Sequence, residues 1–206
     1  LPVRLLRNGV PVPNPGERVP RQGGPVEFLF LARLHPHKRP LAFVDTAVQL
    51  LEEGVDASFA LVGPDGGEES AVRAAITLSG HGDRIRAEGA LPPDRTAERL
   101  ARADVHVLPS FSEVCPMSVL EAMSIGLPVI ITESCGLADD IREHSAGIVV
   151  EDSLADLAGA MRELATDRFS RRALGANAAR FAREDLSVEG VVEGLWTTYD
   201  AVARRG

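Results

Sequence analysis

Apolar and polar residues follow one another along the chain in blocks that predict strands and helices in turn. Residues 26–32 form an almost unbroken apolar run, which is typical of a strand covered on both faces of a parallel sheet. Residues 40–51 instead carry apolar side chains at helical spacing, with Pro40 at the first helical position and Gly54 beyond the end. The same patterns recur further on. They predict strands at 58–62, 84–87, 104–108, 128–132 and 147–150, and helices at 68–78, 95–103, 116–125 and 137–143. Because parallel neighbours need crossover connections, this order predicts a Rossmann-like, doubly wound parallel α/β sheet of about six strands.

The two ends of the chain have different patterns from the middle. Residues 11–25 hold five prolines and three glycines, which predicts a surface loop. Beyond residue 150 the periodicity is helical throughout, with one apolar face at positions 154, 157, 161 and 164 and further helices at about 171–182 and 188–203. We therefore divide the chain into three parts. They are an N-terminal strand and proline- and glycine-rich loop (1–25), a Rossmann-like domain (26–186) and a C-terminal helix (187–206).

The composition of the chain limits the molecules that it can bind and the cellular compartments in which we expect it. The 206 residues carry a net charge of -8, so the surface as a whole repels nucleic acids and anionic lipids, and any anion site must be local. We see no apolar run of about 20 residues and no secretory signal, and the missing initial Met suggests a piece of a longer protein. Two cysteines, Cys115 and Cys135, are too few for a disulfide framework and lack metal-binding spacing. We expect a cytoplasmic protein without a metal.

The loop after the first predicted strand is a basic cluster in an otherwise acidic chain. In open parallel sheets ligands bind beyond the carboxyl ends of the strands, where residues 33–39 are expected to lie. Arg33 leaves the strand and Lys38 comes just before a helix, so both cations could converge on one diphosphate. A merely solvated basic loop is the alternative. His35 and His37 have no carboxylate or cysteine nearby, and we interpret them as surface residues.

The loop before the predicted helix at 116–125 favours an anion site as well. With Pro116 as the first helical residue, the next three amides point outward at the positive end of the helix. These are the amides of Met117, Ser118 and Val119. Glu113 and Glu121 would flank such a phosphate site, and carboxylates accept hydrogen bonds from vicinal hydroxyls. This pattern suits a ligand with a sugar at each end of a diphosphate, although each glutamate alone could be an ordinary surface acid.

The same residues carry a family resemblance. The segment 113–121, Glu-Val-Cys-Pro-Met-Ser-Val-Leu-Glu, closely resembles the signature of the retaining glycosyltransferases of family 4, the glycosyl transferases group 1. Other segments look like that family's landmarks, in order and at plausible distances. They are residues 8–10, 31–38, 61–63, 103–110 and 146–150. The resemblance covers nearly the whole chain.

The resemblance implies one half of a GT-B fold, the C-terminal domain that holds a nucleoside-diphosphate sugar. The whole enzyme would transfer a hexose-type sugar, from a donor linked to UDP or GDP, to an acceptor hydroxyl with retention and without a metal or other cofactor. Its own N-terminal acceptor domain would be the protein partner, would make any peripheral membrane contact, and would receive the C-terminal helix. The isolated domain could form a homodimer. A non-catalytic nucleotide-sugar-binding module is the alternative, whereas the fingerprint of a nicotinamide-dependent oxidoreductase does not follow the first strand.

Site roles follow from the resemblance residue by residue. Arg33 and Lys38 would bind the diphosphate, Glu113 the donor sugar and Glu121 the ribose, while residues 115–119 would contact sugar and phosphates and the loops at 63 and 89–91 would flank the base. The residues expected to be catalytic are Arg33, Lys38 and Glu113, and those expected to bind the donor are Gly63, Gly89, Leu91, Cys115, Met117, Ser118, Val119 and Glu121. The chain departs from the family at 114–116, where Val-Cys-Pro replaces the usual Gly-Phe-Gly.

Overall fold

Six parallel strands form a single sheet in a computed structural model that describes residues 8–12 and 23–203. The strands are β1 (Val26–Leu31), β2 (Ala57–Val62), β3 (Ile85–Gly89), β4 (Val105–Leu108), β5 (Val129–Thr132) and β6 (Gly147–Val150). Their spatial order is β3-β2-β1-β4-β5-β6, so the chain winds outward from β1 in one direction and then from β4 in the other. This confirms the predicted doubly wound, Rossmann-like sheet.

Eight helices surround the sheet in the described part of the chain. They are α1 (Pro40–Glu52), α2 (Glu69–Ser79), α3 (Thr96–Ala101), α4 (Met117–Ser124), α5 (Ala138–Glu143), α6 (Leu154–Thr166), α7 (Arg168–Asp185) and α8 (Val188–Ala203). Short 3-10 turns at Pro36–Lys38 and Pro93–Arg95 precede α1 and α3. Among the described residues, none of the helices combines the length and apolarity that crossing a membrane requires.

The core lies where the two halves of the sheet meet. Every residue of β1, β2, β4 and β5 is buried, as their apolar runs predict for strands with helices on both faces. Phe28 and Phe59 stack across neighbouring strands with ring centroids 5.5 Å apart, and Phe43 of α1 packs edge-on against Phe59. Burying each such side chain contributes about 1.5–3 kcal/mol. The core therefore holds the carboxyl ends of β1 and β4 in fixed positions side by side.

Two helix starts and one buried helix face differ from the sequence-based expectations. Pro116 is the residue before α4 and not its first residue, because its backbone is extended (ψ 110°) while its carbonyl accepts the first helical hydrogen bonds. α7 begins at Arg168, three residues earlier than expected, because Asp167 caps it by accepting the amides of Phe169 and Ser170. Leu154 is the first residue of α6 and is exposed, so it does not belong to the buried face of that helix.

The described part of the N-terminal segment packs beside the residues that precede α8. The amide of Val10 donates to the carbonyl of Leu186 at 2.8 Å, and Val10 bridges to Ser187 just before α8. The strand expected within residues 1–25 otherwise falls outside the described residues. Residues 8–12 therefore run beside the start of the C-terminal helix.

Candidate functional site

A cleft of about 440 Å³ opens at the carboxyl ends of β1 and β4. Its wall combines the loop after β1 with the loop that leads into α4. The lining residues are Leu31, Ala32, Arg33, His35, Lys38, Glu113, Cys115, Pro116, Met117 and Ser118. Adjacent strands at the switch point of a doubly wound sheet bring these loops together. The structure thus confirms that the basic loop and the start of α4 face each other.

Contacts of Arg39 and its neighbour His37 hold the loop after β1 against the loop before α4. The amide of Phe111 donates to the His37 carbonyl at 2.8 Å, and the Arg39 guanidinium lies 4.4 Å from the centre of the Phe111 ring. Arg39 also forms an ion pair with Asp152. Its own backbone is left-handed (φ 56°), which turns the chain sharply from the cleft into α1. These contacts fix the distance between the two walls.

Lys38 and Glu113 form an ion pair inside the cleft. Their side chains keep 25% and 20% of their exposure, so both are largely shielded from water. Burial lowers the pKa of Lys38 below its ordinary 10.5, the nearby Arg33 lowers it further, and Cys135 opposes both effects. A cation that is poorly solvated gains more from a bound anion than an exposed one does. Lys38 is therefore a poorly solvated cation whose charge partner in this structure is Glu113.

Arg33 lies on the open side of the cleft and rests on Gly66, in the loop after β2. A Cβ atom at Gly66 would lie 2.8 Å from Cγ of Arg33 and 2.9 Å from Cβ of His35, which is closer than carbon atoms pack. Only glycine leaves the Arg33 side chain in this position. The site residues expected from the sequence do not include Gly66, although its place after a strand end could have indicated it.

Two amides at the start of α4, not three, precede its first helical hydrogen bond. The Val119 amide donates to the Pro116 carbonyl at 3.0 Å, and the Val119 side chain is buried in the core. The expectation that the Val119 amide is free is therefore wrong, because the first turn closes on Pro116 when that residue caps the helix. Met117 and Ser118 line the cleft and lie ahead of the first helical hydrogen bond. Their amides, at the positive end of the helix dipole, suit an anion.

Glu121 lies one turn further along α4, in a second cleft of about 320 Å³. That cleft is mainly apolar and is formed by the N-terminal segment, the start of α3 and α4. Its lining residues are Val10, Pro11, Val12, Pro93, Thr96, Ala97, Leu100, Glu121, Ser124 and Ile125. Burial raises the pKa of Glu121 above its ordinary 4.5. Glu113, in the loop before α4, and Glu121, within the helix, thus line two different clefts.

Gly63, Gly89 and Leu91 are not among the residues that line the cleft, and they lie at or just after the ends of β2 and β3. The Gly63 amide donates to the Gly89 carbonyl at 2.9 Å, and Gly63 is buried with φ 154°. A Cβ atom there would overlap the carbonyl oxygen of Ala32. Leu91 is half-buried and packs against the core. These residues hold the ends of β1, β2 and β3 together, and their contact with a nucleobase stays a prediction.

His35 and Cys135 are closer to the site than the sequence suggested. His35 is half-buried and lines the cleft, so it is a surface residue that lies at the site. Its ring stacks on His37 with centroids 5.5 Å apart, and its Nδ1 atom accepts the His37 amide. Cys135 is buried near Lys38 and Cys115, and burial raises the pKa of its thiol. Spacing in the sequence places neither residue, because both positions depend on how the loops fold together.

Comparisons with known proteins agree with this architecture. The family model described as glycosyl transferases group 1 matches residues 17–181. The chain is 30% identical over 179 residues to the D-inositol 3-phosphate glycosyltransferase of Nocardia farcinica, covering 84% of this chain and 40% of that protein. It is 32% identical over 190 residues to the protein of the same name from Geodermatophilus obscurus, covering 86% of this chain and 41% of the relative. The chain therefore spans about two fifths of the length of these relatives.

Solved structures with the same fold are GT-B glycosyltransferases. S. aureus TarM, crystallised with fondaparinux, alpha-GlcNAc-glycerol and UDP, superposes with a TM-score of 0.80 at 19% identity, over 93% of this chain and 38% of TarM. Anabaena HepE, in complex with UDP and glucose, superposes with a TM-score of 0.74 at 20% identity, over 86% of this chain and 48% of HepE. The fold, the cleft and the family match agree, and the chain belongs to the glycosyl transferases group 1 family.

Proposed function

We propose that this chain is the donor-binding domain of a retaining family 4 glycosyltransferase that transfers a hexose-type sugar from a UDP-linked donor to an acceptor hydroxyl. The observation that carries the proposal is the cleft in which Arg33 and Lys38 face the start of α4. We propose UDP as the nucleotide of the donor because UDP is present in the structures of both TarM and HepE. The names of the relatives, D-inositol 3-phosphate glycosyltransferases, support an acceptor that carries hydroxyls.

The cleft suits a diphosphate because it brings together three kinds of hydrogen-bond donor. Lys38 offers a point charge, Arg33 a planar fork of N–H groups, and the amides of Met117 and Ser118 the positive end of a helix. A diphosphate has enough oxygens to engage all of them at once. To reach Lys38 it must loosen the ion pair with Glu113, which then becomes free to accept hydrogen bonds from sugar hydroxyls.

These groups would act on the charge that develops during transfer. The bond between the anomeric carbon and the diphosphate oxygen breaks, and its electron pair stays on the phosphate. Preorganised donors at such a position are worth about 2.7–4 kcal/mol each in other enzymes. The acceptor oxygen then bonds to the anomeric carbon and its proton passes to the departing phosphate, which lies on the same face when configuration is retained. Arg33, Lys38 and the helix amides stabilise the leaving group and Glu113 orients the sugar.

Glu121 would hold the ribose of the nucleotide. It follows Met117 and Ser118 by one turn, so a nucleotide whose phosphates lie at the start of α4 reaches it along the helix. The adjoining cleft is mainly apolar, which suits the face of a nucleobase. A half-buried carboxylate in such surroundings needs hydroxyl donors to stay charged, and two vicinal ribose hydroxyls supply them.

The acceptor domain would pack against α8. The exposed apolar residues of this helix recur every three or four positions and so form one stripe. They are Val188, Val192, Trp196, Tyr199 and Val202. An apolar stripe on an exposed helix marks a surface that binds another protein element. Since the chain spans about two fifths of its relatives' length, the remaining part of a longer protein is the proposed partner.

A panel of nucleotides tests the proposal. Thermal unfolding of the chain with UDP, GDP, ADP, TDP or NAD should show the largest stabilisation with UDP. A ligand at about 100 times its dissociation constant adds roughly 2.7 kcal/mol to the free energy of unfolding. Stabilisation by NAD alone would contradict the proposal.

Turnover by a longer protein that contains this chain tests the catalytic part. Lys38→Ala should lower turnover at saturating donor at least tenfold, which corresponds to about 1.4 kcal/mol of barrier. Arg95→Ala, an exposed cation beside α3, is the matched control and should leave turnover unchanged. Unchanged turnover in Lys38→Ala would remove Lys38 from the mechanism, and UDP binding without any sugar transfer would favour a binding module.

A further inference from the structure

A third cavity lies at the end of the sheet opposite the donor cleft. Its volume is about 250 Å³ and it lies between the start of α7 and the turn that joins α4 to β5. Its lining residues are Asp104, Ile125, Gly126, Pro128, Arg168, Arg171, Arg172, Gly175, Ala176 and Ala179. Asp104 directly precedes β4, and Pro128 directly precedes β5. The cavity therefore belongs to the amino ends of the strands and is separate from the donor cleft.

Positively charged side chains outnumber negatively charged ones around this cavity. Three arginines line it, whereas Asp104 is the one acid among its lining residues and already accepts the amide of Glu27 at 2.9 Å. Among the described residues, the side chains of Arg168 and Arg172 form no hydrogen bond or ion pair. Arginines on other helices do find acids, as Arg73 does with Glu69. The excess is notable in a chain of net charge -8, because it concentrates positive charge at one place.

Stability of α7 does not explain these arginines. All three lie within the first five residues of the helix, where the positive end of its dipole disfavours cations. Arg171 is partly buried and donates to the carbonyls of Leu164 and Ala165 at the end of α6, which holds its guanidinium in place. The cost of gathering like charges here is offset if an anion binds among them.

The floor of the cavity is rigid. Gly175 of α7 packs so closely on the turn before β5 that a Cβ atom there would lie 2.5 Å from the carbonyl oxygen of Gly126. Gly126 itself has φ 75°, a conformation that favours glycine. The two glycines fix the backbone of α7 against this turn, and the α6 carbonyls hold the Arg171 guanidinium, while the exposed Arg168 and Arg172 side chains are placed beside it.

We propose that this cavity is a second anion site, which binds a phosphate group between Arg168, Arg171 and Arg172. Guanidinium groups match the oxygens of a phosphate through paired hydrogen bonds. The phosphate could belong to a free phosphate ester or to a lipid headgroup at a membrane surface. Phe169 distinguishes the two sources, because its side chain is 83% exposed beside Arg168 and would insert into a lipid surface but not contact a free phosphate in the cavity.

Titration of the chain with inorganic phosphate, followed by amide NMR signals, tests the site. The signals of Gly126 and Gly175 report this cavity and that of Ser118 reports the donor cleft, so the two sites are read separately. Arg168→Gln/Arg172→Gln should weaken the response at Gly126 and Gly175 at least about tenfold. It should leave UDP binding and the response at Ser118 unchanged, which keeps this test independent of the proposed function.

The matched control removes the same charge from the same helix. Arg180→Gln/Arg183→Gln changes two exposed arginines further along α7 and should leave the response at Gly126 and Gly175 within about twofold of wild type. Equal losses in both double variants would reduce the effect to general charge and overturn the proposal. So would the absence of any phosphate-dependent shift at Gly126 and Gly175.

Vesicle binding identifies the source of the phosphate. Flotation is measured with phosphatidylcholine vesicles that contain or lack phosphatidylglycerol, for wild type, Phe169→Ala and Arg168→Gln/Arg172→Gln. Binding that requires phosphatidylglycerol, Phe169 and both arginines supports a lipid headgroup. Phosphate titration that Phe169→Ala leaves unchanged, without vesicle binding by wild type, supports a free phosphate ester. Vesicle binding that persists in the arginine variant would contradict a role for the cavity at the membrane.

Discussion

Replacing Glu113 with Gln should make the chain bind UDP more tightly, although Glu113 belongs to the proposed donor site. In the structure Glu113 pairs with Lys38, the cation that the diphosphate is proposed to use. UDP lacks the donor hexose that Glu113 is proposed to hold, so it gains nothing from Glu113 and must compete with it for Lys38. Glutamine keeps the shape of the side chain but removes the competing charge.

The size of the effect follows from the surroundings of the pair. With 25% and 20% of their side-chain exposure left, Lys38 and Glu113 are more shielded than a surface pair but still in contact with water. Pairs at the surface contribute about 0.2–1 kcal/mol, so we take the upper half of that range. Release of about 0.5–1 kcal/mol corresponds to UDP binding that is roughly two to five times tighter.

Calorimetric titration with UDP measures this effect in a double-mutant cycle. Lys38→Met should weaken UDP binding by about 1.5–3 kcal/mol, the usual worth of a hydrogen bond to a charged group. Glu113→Gln should strengthen UDP binding in the wild-type background and have no effect in the Lys38→Met background. Weaker UDP binding by Glu113→Gln alone would refute the competition between Glu113 and the diphosphate.

Three further predictions concern other parts of the structure. Burial holds the pKa of His106 at about 4, below its ordinary 6.5. The stability that the neutral His106 contributes to the folded state is therefore fully present above pH 6.5 and is lost as the pH falls toward 4. By denaturant unfolding, wild type should lose about 3 kcal/mol more than His106→Gln over this range, and parallel pH profiles would contradict this. Gly63→Ala should lower the free energy of unfolding by at least about 3 kcal/mol, because its Cβ atom overlaps the Ala32 carbonyl. Gly54 also has a left-handed backbone but lies in open space, so Gly54→Ala should lower the free energy of unfolding by about 1 kcal/mol. Equal costs would show that the close approach is unimportant. Glu121→Gln should weaken UDP binding about tenfold while leaving pyrophosphate binding within about twofold, and equal losses for both ligands would exclude a role at the ribose.

The sheet could be predicted from the sequence because its signals are local and strong. Apolar runs such as 26–32 and proline and glycine at the ends of elements mark strands and helices independently of their neighbours. Crossover rules then fix the arrangement of parallel strands. Helix starts were less accurate. Whether Asp167 or Pro116 caps a helix depends on backbone angles that the residue type alone does not determine.

The site was partly predictable for a related reason. Arg33, Lys38 and Glu113 follow strand ends, and the rule that ligands bind there brings them together without knowledge of side-chain packing. The pairing of Lys38 with Glu113 and the closed amide of Val119 arise from the way two loops fold against each other. The arginine-lined cavity at the other end of the sheet depends on the packing of α7 against a distant turn, and no local pattern indicates it.

Lys38 offers a direct test of the donor cleft, because it is the one lysine in the sequence. The chain labelled with 13C-lysine therefore gives a single lysine Cε signal, whose dependence on pH reports the pKa of Lys38. We predict a pKa below 10.5 for the free chain, and a rise of that pKa together with a shift of the signal when UDP binds. A signal and a pKa that stay unchanged at saturating UDP would contradict the claim that Lys38 and the start of α4 hold the diphosphate between them.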